Sequence, residues 1–120
     1  MRCAAHVLLI AVTALASPAL AEPETGLFHD GVGGCDPARV GAPDGPVRIG
    51  SGRLEAARGI CELSGETRIS RMDGASLRDA TCRPSGGGEP FETRFFLSFT
   101  ASGVTIVSPT WGTWALGRCP

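Results

Sequence analysis

The side chains here that could serve as nucleophiles, general bases or metal ligands are sparse: five cysteines and two histidines in 120 residues. His29 stands beside Asp30, and Cys35 follows shortly after. Cys61, Cys82 and Cys119 then come at intervals of more than 20 residues. No two cysteines have the C-x2-C or C-x4-C spacing of a zinc ligand pair, and none has the spacing of a thioredoxin-type dithiol. The four read as two disulfides, and no metal ligand is assigned.

A lone histidine works as a general base only when a nucleophile and an orienting group face it, and its sequence neighbours supply neither. His29 therefore reads as a surface histidine beside an acidic turn. Gly74 and Ser76 begin a G-x-S-x-G nucleophile elbow, but Arg78 occupies the place of its last glycine. No catalytic residue is assigned. Gly31–Gly34 and Gly86–Gly88 lack the Lys-Ser/Thr that completes a phosphate loop, so no cofactor is expected. Asp30, Asp36 and Asp44 offer oxygen ligands without the alternating spacing of a calcium loop.

Two groups remain as candidate binding surfaces. Arg68, Arg71, Arg78 and Arg83 flank Asp73-Gly74 and would suit an anion, although Asp73 and Asp79 among them favour a mixed, solvated face. Trp111 and Trp114 open the last apolar stretch, where aromatics act as a ligand platform or as a plug in the core. Trp111, Trp114, Arg68 and Arg71 are the residues expected to form such a surface.

What positions these residues begins with a cut. Arg2 followed by the apolar run Ala4–Ala16 and the small-x-small site Ala19-Leu20-Ala21 has the form of an export signal spanning residues 1–21. The run is too short for a membrane span, which needs about 20 apolar residues. Cleavage before Glu22 would remove Cys3 and His6, leaving an even cysteine frame in an oxidising compartment, periplasmic or secreted. Three pairings are open; Cys61 with Cys82 and Cys35 with Cys119 is favoured, joining neighbouring strands and tying the start of the domain to its end.

The chain contains no lysine, asparagine, glutamine or tyrosine, and its net charge of −1 becomes about −2 once Arg2 is removed. The basic footprint of a nucleic-acid binder is missing, and nucleic acid is dropped as a partner.

Residues 22–120 form one domain. Residues 22–46, rich in Gly, Pro and Asp, are expected to be an irregular opening segment pinned by Cys35. Val47–Ile49, Ile60–Leu63, Thr67–Arg71, Leu77–Arg83, Thr93–Thr100, Val104–Val107 and Thr113–Cys119 alternate or run apolar between turn signals. Arg53–Arg58 suits a helical turn as well as a strand. Asp79 falls on the same side as Leu77, which calls for a bulge or a late strand start. About seven antiparallel strands make a small all-β barrel or sandwich with two disulfides.

The frame of Cys35, Val47–Ile49, Cys61-Glu62-Leu63, Cys82, a Phe/Leu strand and terminal Arg118-Cys119-Pro120 resembles a group of small exported bacterial two-disulfide β-proteins with no assigned activity. Phe28 stands where that group has an aromatic before its first cysteine. The resemblance implies a fold and a cysteine frame, and no catalytic residue. The size and disulfides are also similar to periplasmic lysozyme inhibitors, whose inhibitory loop has Ser-Gly followed by tyrosine. Ser51, Ser64, Ser85 and Ser102 each precede glycine here, without the tyrosine. The expected function is a non-enzymatic exported domain that binds a protein or envelope component. A lysozyme inhibitor is the second reading, and a small hydrolase using His29 the third.

Overall fold

The computed structural model describes residues 10–13 and 24–120. The predicted cleavage after Ala21, with Cys3, His6 and Glu22, lies outside the described residues. Eight antiparallel strands follow one another round a closed barrel: β1 (Gly26–His29), β2 (Val47–Ile49), β3 (Arg53–Ala56), β4 (Gly59–Arg68), β5 (Ala75–Pro84), β6 (Phe91–Phe99), β7 (Gly103–Ser108) and β8 (Gly112–Arg118). Each strand pairs with its sequence neighbours, and β8 closes on β1. Among the described residues no helix is long and apolar enough to cross a membrane.

Alternation decides what faces inward. Leu54 and Ala56 on β3, Cys61 and Leu63 on β4, Phe95, Leu97 and Phe99 on β6, and Val104 and Ile106 on β7 fill the barrel. Their neighbours Arg53, Glu62, Arg94 and Val107 point to solvent.

The strand count is eight rather than seven because three short stretches resolve differently. β1 forms inside the opening segment expected to be irregular, since Phe28 is fully buried and draws its neighbours into the wall. Arg53–Ala56 is a strand, because only extended backbone sends both Leu54 and Ala56 into the core. The stretches around Ile60 and Thr67 are one strand, β4, interrupted by a bulge at Gly65 between the pairs Ser64 with Asp79 and Glu66 with Arg78. Gly65 has φ +42°, and a Cβ there would lie 3.0 Å from the Asp79 carboxylate. The irregularity expected on the Leu77 strand is thus carried by its partner. On β5 the inward set is Ser76, Arg78, Ala80 and Cys82, and Leu77 faces outward with Asp79.

Both disulfides pair as favoured. Cys61 and Cys82 are directly opposite in the β4–β5 ladder and fully buried. Cys35 and Cys119 join across 84 residues on the outer wall, where both are half-buried and the Cys119 N–H donates to the Leu27 carbonyl at 2.8 Å. By loop-closure entropy the shorter link contributes about 3 kcal/mol and the longer about 4 to 5 kcal/mol.

The wall is uneven. The β4–β5 ladder runs through nine residue pairs and β5–β6 through eight, whereas β1 meets β8 through Phe28 with Arg118 and His29 with Gly117 alone. β8 therefore rises past the end of β1 with no ladder partner on that side among the described residues. Residues 30–46 leave the top of β1, make a 3-10 turn at Pro37–Arg39 capped by the Asp36 carboxylate, and return through buried Pro46 to β2.

Candidate functional site

The missing upper stretch of β1 leaves a side cleft in the barrel wall. One flank is the upper part of β8, Trp114 to Leu116, and the other is the β3–β4 turn, Ala56 to Arg58. Phe28 and Val47 form the floor, while His29, Asp30, Pro43 and Gly45 make the remaining rim, around a cavity of about 390 Å³. A concave, largely apolar site with a few convergent polar groups is the ordinary form of a ligand site.

Three aromatic rings support the β8 flank. Phe95 meets Trp111 with centroids 5.6 Å apart, and Trp111 stacks on Trp114 at 5.6 Å and 11°. Trp111 is nearly buried, and its backbone N–H donates to the buried Ser108 hydroxyl oxygen at 2.9 Å. Trp111 is therefore the plug, and Trp114 carries the plane it fixes out to the cleft. Arg58 lies over the Trp114 ring at 5.8 Å and donates from Nη1 to the Trp111 carbonyl at 3.2 Å. Its exposed guanidinium is held in place at the rim.

His29 and Asp30 stand across from it. His29 Nδ1 accepts the Gly31 N–H at 3.0 Å, which leaves the ring proton of the neutral imidazole on Nε2. The Asp30 carboxylate accepts the N–H groups of Val32 and Gly33, each at 2.9 Å. Those two bonds, Gly33 first, hold its carboxyl below the usual aspartate range, so it is ionised at neutral pH. The cleft thus has a cationic and an anionic rim over an apolar floor. Among the described residues His29 has no hydroxyl or thiol in hydrogen-bond contact.

The other sequence-predicted residues disperse. Arg68 pairs with Glu24 and Glu66 at the opposite, lower end, and Arg71 stands exposed in the β4–β5 loop there at φ +64°. The expected surface of Trp111, Trp114, Arg68 and Arg71 is therefore two separate regions. Arg78 turns inward near the lower end and donates to the Ser51 carbonyl at 3.1 Å. Arg83 instead rims a second hollow of about 420 Å³ outside β3, β4 and β5. That hollow is floored by strand surface and crossed by the Arg53–Glu62 ion pair at 2.7 Å, without aromatic support. The ligand atoms of His29, Cys35 and Cys119 lie within 4.8 Å of one another, but the sulfurs are bonded together and offer no thiolate to a metal. Arg58 was missed in the sequence, where it is one of ten scattered arginines after Arg2.

No family model, curated protein or solved structure matches the chain. What the cleft can hold is therefore read from its own geometry.

Proposed function

We propose that the protein is an exported, non-enzymatic binding domain whose recognition site is the cleft between β8 and the β3–β4 turn. The observation that carries this reading is the two-pair closure of β1 on β8, which leaves backbone edge, an aromatic plane and a fixed guanidinium facing one cavity. The partner it suits is an extended segment of another exported protein. Such a segment would pair with the free upper edge of β8, lay an apolar side chain against Trp114, and present an acidic group to Arg58. Two disulfides are compatible with the oxidising compartment that the export signal implies.

The test is affinity capture from an extract of the exporting compartment, with the wild type, Trp114→Ala, Arg58→Ala and the lower-end variant Arg68→Ala as parallel baits. The expected partner is held by wild type and Arg68→Ala and lost from both cleft variants. Equal capture by all four baits rejects the cleft. Inhibition of a C-type lysozyme by the purified domain would replace this reading with the second one. Turnover of an ester, peptide or glycan that disappears in His29→Ala would replace it with the third.

A further inference from the structure

The two disulfides sit in different chemical surroundings. Cys61 and Cys82 are fully buried inside the barrel, whereas Cys35 and Cys119 are half-buried on its outer wall. His29 lies beside the outer pair, its ligand nitrogen and both sulfurs within 4.8 Å of one another. Because Nδ1 accepts the Gly31 N–H, the proton on the neutral ring is on Nε2. The outer bond also has an unusual mechanical role. Among the described residues, the hydrogen bonds of residues 30–46 run within the segment or to His29, and Cys35–Cys119 is the covalent tie that holds its middle to the barrel.

We propose that Cys35–Cys119 is a thiol–disulfide exchange site that takes the thiolate of a dithiol reductant, and that its opening releases residues 30–46 from the wall. The reductant's thiolate attacks one sulfur, the Cys35–Cys119 bond breaks, and the mixed disulfide forms. The departing cysteine leaves as a thiolate that accepts a hydrogen bond from the His29 ring, and a stabilised leaving thiolate speeds exchange. The reductant's second thiol then displaces the other cysteine. Two electrons and two protons pass to Cys35 and Cys119, and the reductant becomes a disulfide. Asp30, Pro43 and Gly45 belong to the released segment and to the cleft rim. Only the consequence for cleft binding rests on the function proposed above.

The test treats the folded, oxidised protein with dithiothreitol, quenches by alkylation at intervals, and maps modified cysteines by mass spectrometry. Cys35 and Cys119 are expected to be alkylated at least about tenfold faster than Cys61 and Cys82. The near-UV circular dichroism of the stacked tryptophans should be retained, and tryptic cleavage after Arg39 should accelerate on reduction. His29→Ala should slow opening by about threefold or more, and His29→Gln, which keeps a donor, should recover part of the rate. Equal reactivity of the two disulfides, or loss of the dichroism together with reduction, overturns the exchange site. Unchanged kinetics in His29→Ala overturn the role of the histidine, and unchanged cleavage at Arg39 overturns the release. Selective opening with unchanged partner capture would leave the exchange site standing and count against the cleft.

Discussion

Each end of the barrel has an arginine over an aromatic ring, and the two differ in where their donors go. At the lower end Arg118 lies 5.0 Å over Phe28 and donates to the carbonyls of Thr25 at 3.3 Å and Thr100 at 3.0 Å. Its guanidinium is turned to loop backbone at that end. At the upper end Arg58 lies over Trp114 and donates to one carbonyl, with the rest of its exposed guanidinium at the cleft rim. One cation–π contact therefore stabilises the fold, and the other holds a charge where a ligand can meet it. The difference comes from strand length: β8 extends down to meet β1 at Arg118, whereas β1 stops too early to cover Trp114.

Phe28 connects the two ends, since its ring lies beneath Arg118 and also floors the cleft. Phe28→Ala should cost about 3–5 kcal/mol in denaturant unfolding and weaken both regions together. A loss under about 1 kcal/mol would mean that the ends do not share a core. Arg118→Ala should come next, at about 2–3 kcal/mol, by losing charged hydrogen bonds to loop carbonyls and a partly desolvated ring contact. Cleft binding should survive it at an intermediate denaturant-free stability, as measured by partner capture. The counterpart, Arg58→Ala, should change stability by no more than about 1 kcal/mol and yet reduce partner binding at least about tenfold, read by titration against the captured partner. If Arg118→Ala and Arg58→Ala proved equally destabilising, the division into a structural and a ligand-facing arginine would fail.

The smallest effect concerns the lower rim. Hydrogen bonding from Arg68 is the main cause holding the Glu24 carboxyl below its ordinary value of 4.5, with burial opposing it. A carboxyl depressed in the folded state stabilises fully above the ordinary value, and that contribution is lost as pH falls through the lower folded value. Both partners are substantially exposed, so the contribution is under about 1 kcal/mol. Thermal melts of wild type and Arg68→Ala should therefore differ slightly at neutral pH and converge in acid; a gap that widens in acid would reverse the assignment.

Much of the wall could be read from residue order. Phe95, Leu97 and Phe99 alternate so regularly that their inward face is unambiguous, and Cys61 and Cys82 fall opposite one another because the β4–β5 hairpin brings them into register. β1 escaped notice because four residues among glycines and prolines carry too little periodicity; burial of one ring, Phe28, is what makes them a strand. The cleft was only half visible. Trp114 stood out by its type, whereas Arg58 gave no signal, since a charge in a two-residue turn gains meaning only from the ring it is folded against.

The sequence by itself determined the all-β class, the inward faces of the long strands and an even cysteine frame after the predicted cut, because these depend on local alternation, turn residues and composition. Tertiary structure decided the closure of β8 on β1 and the separation of Trp114 from Arg68 and Arg71. It also placed His29 beside the outer disulfide. Those outcomes depend on strand lengths and shear summed around the whole barrel, and no local stretch of the chain records that sum.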